Sequence, residues 1–252
     1  RVRVFFYKCI LNVFHTFLRQ KEISWDSSTV TNVDGKSIFA NAICCFAPMQ
    51  RMEALNDNHV EELIQLLCIT KIEFDHKDTM HKKILLTVHH ELTLEKIQAS
   101  KGPHWENIGF LGPDPTKELR SVGMLGSLML LYLISHYPNL SQRMFKLSNH
   151  NKKKFPFAVS TLHMLVIALG RFKDGTMNNH CNANDSVLGE LQHFFVALVR
   201  EFVNKWEKGN YQEHDFHKVI EHYLIPMSTR RWQRLLQNHH KAVDKEKNKK
   251  EK

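Results

Sequence analysis

The spacing of apolar residues along the chain predicts helices throughout. Apolar side chains recur three and four residues apart over residues 58–69 and 79–98, which is the pattern of a helix that buries one face. The same spacing over residues 186–206 forms a long stripe that would point inward. Glycine and proline are sparse, at 10 and 7 residues, which also favours helices over a turn-rich β architecture. Further helices are predicted at residues 37–54, 140–148, 213–224 and 228–240.

Two segments are apolar on nearly every side. They run from about Glu118 to Tyr137 and from Phe155 to Leu169, the second closed by Gly170. A helix that is apolar all round must be enclosed by other helices, so we expect these two at the centre of the fold. The second is too short to cross a bilayer comfortably, which favours a buried core helix. The predicted fold is therefore all-α, with about eight to ten helices around two buried apolar ones.

The predicted organisation is a single helical domain with a segment on each side. Residues 1–36 read as an N-terminal helix and a linker, residues 37–238 as the helical domain, and residues 239–252 as a basic tail. The tail is charged and poor in apolar residues, so we expect it to be disordered. The first 19 residues are apolar but interrupted by Arg3 and Lys8, which argues against a membrane-spanning helix. A helix lying on a membrane surface and a helix docked on the domain both remain open.

A shaped loop is predicted just before the first central helix. Gly109, Gly112, Pro113 and Pro115 fall within seven residues, which is incompatible with regular structure. Pro115 disfavours the α-helical region at the residue before it, and Gly109 and Gly112 suit backbone positions with positive φ. We therefore predict a loop over residues 105–117 that leads into the central helix.

Arg120 would lie in the first turn of that helix. The helix macrodipole is positive there, so a cation is disfavoured and its guanidinium needs an anionic partner. Within the protein, Glu118, Asp114 and Glu106 could supply the partner. The phosphates of another molecule could supply it equally well.

The composition limits the classes of partner. The formal net charge is +9, part of it in the Lys-rich tail, and no RNA-binding or helix-turn-helix signature is present. We read a basic soluble protein and expect no nucleic-acid partner.

The five cysteines are odd in number and lack the Cys-x-x-Cys spacing, which indicates reduced thiols in a cytosolic protein. The predicted location is cytoplasmic, with a peripheral membrane contact left open.

Motifs for nucleotide or metal chemistry are incomplete. Gly35-Lys36-Ser37 resembles the end of a phosphate-binding loop, but position 30 is Val instead of Gly. His89-His90-Glu91 begins like a zinc-protease helix, but the second ligand is missing because position 94 is Leu. Other histidine pairs are explained more simply as solvated side chains. We therefore expect no cofactor and no metal site.

The run from Trp105 to Gly123 resembles the signature of the ELMO (engulfment and cell motility) domain. That signature reads approximately Trp-x-x-Ile-Gly-Phe-Gln-Gly-x-Asp-Pro-x-Thr-Asp-Phe/Leu-Arg-Gly-x-Gly. The resemblance extends more weakly from about Phe74 to Trp206, and it is nearest to the type 3 ELMO domain-containing proteins. The matching residues are Trp105, Ile108, Gly109, Phe110, Gly112, Asp114, Pro115, Leu119, Arg120 and Gly123.

The resemblance implies an all-α fold and a function. Members of this kind act as GTPase-activating proteins for ADP-ribosylation-factor-like GTPases, using the signature arginine, which is Arg120 here. The implied partner is such a GTPase in its GTP-bound form, and we expect the chain to regulate that partner instead of being an enzyme with its own substrate. Trp105, Phe110 and Leu119 would anchor the loop in the core. The supporting loop would comprise Trp105, Gly109, Phe110, Gly112, Asp114, Pro115, Glu118 and Gly123.

Four departures from the signature leave alternatives open. Leu111 replaces the usual Gln, Lys117 replaces Thr, Glu118 replaces Asp and Ser121 replaces Gly. One alternative is a non-catalytic interaction module in small-GTPase signalling. In another, Arg120 is structural and pairs with a carboxylate inside the loop. A third is a membrane-surface adaptor that uses the first helix and the basic tail.

Overall fold

The computed structural model describes residues 53–248, and this part of the chain contains eleven α-helices and no strand. The all-α prediction is therefore confirmed, although the helices outnumber the eight to ten expected. Residues 1–52, with the predicted N-terminal helix and nearly all of the helix predicted at 37–54, lie outside the described residues. The helices are α1 (Asp57–Ile69), α2 (Thr79–Thr93), α3 (Thr116–Leu119), α4 (Gly123–His136), α5 (Pro138–Ser148), α6 (Phe157–Lys173), α7 (Asn178–Asn184), α8 (Val187–Lys208), α9 (Phe216–Val219), α10 (Ile225–Arg230) and α11 (Trp232–Asn248).

The two helices predicted to be central are buried. Every residue of α4 from Gly123 to Ile134 is buried, and α4 packs against α2, α5 and α6. The second, α6, packs against α4 and α8. α8 contributes the inward stripe predicted for residues 186–206, which ends in Phe202 and Trp206. No helix in the described part of the chain is long and apolar enough to cross a membrane.

The start of α8 is capped by two side chains. Ser186 accepts a hydrogen bond from the backbone N–H of Gly189 at 3.0 Å, as expected of a serine at a helix start. The carboxylate of Glu62 on α1 accepts from the N–H groups of Val187 and Leu188 at 2.8 and 2.9 Å. These bonds satisfy N–H groups that have no partner within the helix, and they tie α1 to α8.

Several helix ends differ from the predicted ones. α2 ends at Thr93 because Leu94 adopts the left-handed conformation, with φ 62°. α6 continues past Gly170 to Lys173. Glycine costs only about 1 kcal/mol inside a helix, and the burial of Phe172 offsets that cost. The polar segment 171–185, for which the apolar spacing predicted no helix, contains the short helix α7.

The predicted helix from Glu118 to Tyr137 is in fact two helices, α3 and α4. The break falls at Arg120–Val122 because Gly123 has φ +53° and lies against the backbone that follows α1. The N–H of Met124 donates to the carbonyl of Ile72 at 2.9 Å. A Cβ atom at Gly123 would lie 2.5 Å from the carbonyl oxygen of Thr70. This close approach fixes where α4 begins.

The predicted tail also needs a correction, because residues 239–248 complete α11. Leu235, Leu236 and His239 are buried against the domain, and the carboxylate of Glu246 pairs with the guanidinium of Arg200 at 2.9 Å. A charged segment can fold as an amphipathic helix when one of its faces is buried. Its charge content alone does not show that such a face exists. The chain before α11 forms the separate helix α10, so the helix predicted at 228–240 is also divided.

Candidate functional site

The loop before α4, which we call the site loop (residues 100–122), is anchored by aromatic side chains. Trp105 lies in a 3-10 helix spanning Pro103–Ile108 and is fully buried. Its indole N–H donates to the carbonyl of Ser100 at 3.1 Å, and its ring meets the edge of Phe110 at a centroid distance of 5.9 Å. Leu119 at the far end is buried as well. The three predicted anchors therefore all hold the loop to the core.

Gly109 brings the site loop against the start of α6. Its φ is +83°, and its carbonyl accepts a hydrogen bond from the N–H of Val159 at 3.2 Å. A Cβ atom here would lie 2.2 Å from the backbone nitrogen of Phe157, so only glycine fits. Gly112 is different, because its φ is not positive and an added Cβ would meet nothing within 4 Å. The prediction of positive φ is confirmed for Gly109 and wrong for Gly112.

Asp114 closes the loop. Its carboxylate accepts from Lys101 Nζ at 2.7 Å, from the N–H and hydroxyl of Thr116 at 3.1 and 2.7 Å, and lies 3.2 Å from His76 Nε2. Burial opposes ionisation of this carboxyl, but the bonds from Lys101 and Thr116 outweigh it and hold its pKa well below the ordinary value. The N–H of Gly102 also donates to the carbonyl of Pro113 at 2.8 Å. The start of the site loop is thus joined to its middle, around Asp114.

Arg120 is exposed and lies between the two helices. It follows the last residue of α3, instead of lying in the first turn of the central helix as predicted. Leu119 and Val122 are buried on either side of it, so the backbone that carries Arg120 is fixed by its neighbours. Among residues 53–248, no hydrogen bond or ion pair involves its side chain.

The internal carboxylates predicted as partners do not pair with Arg120. Asp114 is occupied by Lys101, Thr116 and His76, as described above. Glu118 has a buried Oε2 atom with no hydrogen-bond partner in the described part of the chain. Arg120 is therefore not held as a structural ion pair by either residue, and its charged group faces solvent.

Three of the four departures from the family signature are exposed. Leu111 is 70% exposed, and Lys117 and Ser121 are also on the surface. The hydroxyl of Ser121 donates to the carbonyl of Glu118 at 3.3 Å. Glu118, the fourth, is partly buried. These replacements therefore change the surface of the site loop and leave its anchors in the core intact.

Some residues of the site were not found from the sequence. His76 lies 38 positions before Asp114, and its ring nitrogens bridge Ser100 Oγ and Asp114 Oδ1 at 3.0 and 3.2 Å. No local motif marks such a contact. Lys101 is nearer in sequence, but its pairing with Asp114 depends on the turn that reverses the chain at the 3-10 helix. The tertiary fold alone brings these residues together.

The remaining candidate chemistry in the described residues is limited. No three His, Cys, Asp or Glu side chains between residues 53 and 248 converge as metal ligands. Burial, together with the nearby carboxylates of Glu190 and Glu62, raises the pKa of the Cys181 thiol to about 12. That thiol is therefore unreactive.

The fold and the site define an all-α domain that presents an arginine on a rigid, glycine- and proline-shaped loop. The model of the ELMO/CED-12 family matches residues 64–220, which is more than half of the chain. The chain therefore belongs to the ELMO/CED-12 family. The matched region contains the site loop and both central helices.

The chain is similar to named members of this family. It is 32% identical to human ELMO domain-containing protein 3 over 149 residues, covering 58% of this chain and 39% of the relative. It is 30% identical to the mouse protein of the same name over 166 residues, covering 65% and 42%. For bovine ELMO domain-containing protein 2 the identity is 26% over 169 residues, covering 62% and 58%. The chain spans about two fifths of the length of the type 3 relatives, and no solved structure matches it.

Family membership corrects one prediction. The sequence led us to expect a regulator and not an enzyme. That expectation is wrong as stated, because the family has GTPase-activating activity, and accelerating the hydrolysis of a partner's bound GTP is a catalytic function.

Proposed function

We propose that this protein is a GTPase-activating protein for ADP-ribosylation-factor-like GTPases and that Arg120 is its arginine finger. The observation that carries the proposal is the exposed Arg120 side chain, which has no partner among residues 53–248 and projects from an anchored loop. Membership of the ELMO/CED-12 family supports the choice of partner. Cys68 and Cys181, the two cysteines among residues 53–248, are unpaired, which fits a cytoplasmic location.

An arginine supplied in trans suits the chemistry of GTP hydrolysis. Negative charge spreads over the transferring phosphoryl group in the transition state, and a guanidinium can neutralise it. Arginine is always charged, and its planar fork donates to two oxygens at once, whereas lysine offers a point charge. In known GTPases such a residue accelerates hydrolysis by about 10³–10⁵-fold.

The site loop would prepare Arg120 for this role. Four backbone contacts fix the loop: Gly102 to Pro113, Phe110 to Trp105, Val159 to Gly109 and Met124 to Ile72. An arginine on a rigid support loses less freedom on binding than one on a mobile loop. The backbone position of Arg120 is thus set before the GTPase arrives.

Leu111 would contribute to docking. An apolar side chain that is 70% exposed, on the same loop as the unpaired arginine, supplies area for contact with a GTPase surface. Because the family signature has Gln here, this contact would distinguish the partner of this chain from those of its relatives. The residue would therefore affect affinity for the GTPase more than the rate of the chemical step.

The experiment is multiple-turnover GTP hydrolysis by a panel of ADP-ribosylation-factor-like GTPases, with the parent protein, Arg120→Ala and Arg120→Lys. We expect the parent to stimulate at least one GTPase and Arg120→Ala to lose about a thousandfold or more of that stimulation. Arg120→Lys should recover little, because it lacks the fork. Arg230→Ala is the matched control, since Arg230 is an exposed arginine at the end of α10.

Two results would count against the proposal. One is no stimulation of any GTPase by the parent, and the other is equal stimulation by the parent and both Arg120 variants. If the parent binds a GTP-loaded GTPase without stimulating it, and Arg120→Ala binds equally well, the chain is instead a non-catalytic interaction scaffold. The four departures from the signature are the observation that favours this second function.

A further inference from the structure

One face of α6 is open to solvent along its middle. We call this face the α6 strip, and its members, which recur three and four residues apart, are Val159, His163, Val166, Gly170 and Lys173. Val166 is 45% exposed, and a Cβ atom added at Gly170 would meet nothing within 4 Å. From its first to its last residue the strip is about 21 Å long. It is therefore long enough to contribute substantially to a protein interface.

The chain from α9 to α10 borders the strip on one side. The ring centroids of His163 and His217 lie 6.3 Å apart, and Arg171 Nη1 donates to Thr229 Oγ1 at 3.1 Å. These two contacts show that the chain from α9 to α10 runs alongside α6. Ile225 lies between them in the sequence and is 41% exposed. The apolar surface of the strip therefore continues onto the start of α10.

The other side of the strip adjoins α3, the short helix that precedes Arg120. Leu119 on α3 and Leu162 on α6 both reach the position of Gly126, where an added Cβ atom would lie 3.1 and 2.9 Å from their Cδ2 atoms. Arg120 directly follows Leu119, and Val166 lies about one helical turn beyond Leu162. The exposed arginine and the exposed valine are therefore carried by two elements that pack against each other.

The first turn of the strip also touches the site loop. The N–H of Val159 donates to the carbonyl of Gly109 at 3.2 Å, and Leu111, two residues further on, is 70% exposed. In the described part of the chain five large apolar side chains are exposed, and three of them are Leu111, Val166 and Ile225. Exposed apolar residues that are scattered singly need no explanation, whereas a contiguous patch marks an interaction site. The strip and the exposed part of the site loop therefore form one surface.

The position of this surface indicates its occupant. A specific protein interface buries about 800 Å² on each partner, which is more than one arginine and one leucine supply. A GTPase whose nucleotide is reached by Arg120 would cover the strip as well, because the strip begins at the site loop. The segments of a GTPase beside its nucleotide are ordered by the γ-phosphate and released on hydrolysis. Docking on the strip should therefore favour the GTP-bound form.

We propose that the α6 strip, together with Ile225, is the docking surface for the GTP-bound GTPase that Arg120 contacts. This inference rests on the proposed function and adds a second part to it. The strip supplies binding, and Arg120 supplies the chemistry. The two roles differ in kinetics, because a docking contact changes the KM for the GTPase, whereas a contact made only in the transition state changes kcat.

The test measures binding and stimulation with the full chain. Calorimetry gives the affinity for ADP-ribosylation-factor-like GTPases loaded with a non-hydrolysable GTP analogue or with GDP, and hydrolysis assays give KM and kcat for the GTP-loaded form. We expect the parent to prefer the analogue-loaded form. Val166→Asp should weaken that binding and raise KM at least about tenfold with kcat unchanged, because it places a charge in an apolar contact. Arg120→Ala should instead lower kcat.

A matched control and a second variant separate docking from folding. Leu94→Asp should behave like the parent, since Leu94 is 79% exposed at the end of α2 and is not part of the strip. Gly170→Gln puts a side chain into the open space on the strip, and replacing a glycine inside a helix favours the helix. Its side chain would obstruct the GTPase, so we expect several-fold weaker binding without loss of folding. Gly170→Ala, which adds only a methyl group, should have a smaller effect.

The results distinguish failure of the docking surface from failure of the proposed function. Equal KM values for the parent, Val166→Asp and Gly170→Gln, with stimulation that depends on Arg120, would overturn the docking surface alone. If no GTPase is stimulated but the strip variants bind the analogue-loaded GTPase more weakly than the parent, the docking surface stands and the proposed function fails. No binding of any GTPase by the parent would overturn both.

Other occupants of the strip would give results of their own, and each would overturn the proposal. Tighter GTPase binding by Val166→Asp than by the parent would show that residues 1–52 of this chain cover the strip. A dimer of the parent that Val166→Asp abolishes, with unchanged GTPase binding, would show that a second copy covers it. Light scattering during the same titrations detects the dimer.

Discussion

Gly109 and Gly112 stand three residues apart in the site loop, but the structure constrains them differently. Gly109 combines positive φ with a backbone approach from α6, whereas Gly112 has neither constraint. Both glycines match the family signature, so the sequence predicts the same backbone conformation for each. The difference arises because only Gly109 faces the start of α6, where the N–H of Val159 binds its carbonyl. At the scale of single residues, the site loop therefore depends on one backbone position, Gly109, at its contact with α6.

This difference predicts unequal effects of two alanine substitutions. Gly109→Ala should lower the free energy of unfolding by about 2 kcal/mol or more, because it adds steric clash to an unfavourable φ. Gly112→Ala should change it by no more than about 0.5 kcal/mol, since the position is open. Urea denaturation of both variants is the measurement. Equal effects of the two substitutions would show that the close approach at Gly109 is not present in solution.

At the scale of elements, the division between α3 and α4 decides where Arg120 lies. A continuous helix would have placed Arg120 in its first turn. Because α4 begins at Gly123, Arg120 instead lies in the short connection and its side chain is exposed. The position of the break is set by the backbone between Thr70 and Ile72, far away in the sequence.

The attachment of α11 should depend on pH through His239. A histidine whose pKa is about 3 in the folded state and about 6.5 when unfolded contributes stability that is complete above pH 6.5 and is lost as the pH falls towards 3. The loss attributable to His239 between pH 7 and pH 4 should be roughly 3 kcal/mol. Its physical cause is burial, followed by the charges of Arg200, His193 and His240.

The measurement is the free energy of unfolding of the parent and His239→Leu from pH 7 to pH 4. The parent should lose stability more steeply than the variant, because leucine has no proton to bind. Histidines that do not contact His239 contribute to both proteins equally, so the difference between the curves reports on His239 and its coupling to His193 and His240. Parallel curves would contradict the burial of this ring between α11 and the rest of the domain.

At the scale of the whole molecule, the stability of the core and the activity of the site loop should be separable. Leu198 is fully buried on α8 and is not part of the site loop. Leu198→Ala should lower the free energy of unfolding by about 2–5 kcal/mol, through lost burial and a cavity. Leu94→Ala, at a leucine that is 79% exposed, should have little effect. GTPase stimulation by Leu198→Ala, measured well below its melting temperature, should match the parent.

A stable Leu198→Ala variant that has lost stimulation would show that packing around α8 sets the site loop. In that case GTPase stimulation would depend on the packing of α8 as well as on the site loop. Equal unfolding free energies for Leu198→Ala and Leu94→Ala would instead contradict the placement of α8 in the core.

Much of the fold could be predicted from apolar spacing. The buried helices α4 and α6 and the inward stripe of α8 were evident from the sequence. The helix content of residues 171–185 and of residues 239–248 was missed because these segments are polar and are stabilised by a few buried side chains, such as Cys181 and His239. Local composition does not report such contacts.

The sequence by itself determined the helical class, the two central helices, the aromatic anchors of the site loop and the family, because these depend on residue type and spacing along the chain. Only the tertiary structure decided that Asp114 binds Lys101 and His76, that Arg120 is exposed without a partner in residues 53–248, and that the exposed face of α6 adjoins the site loop. The physical reason is that these properties depend on contacts between residues far apart in the chain, where burial and the geometry of donors and acceptors select the partners.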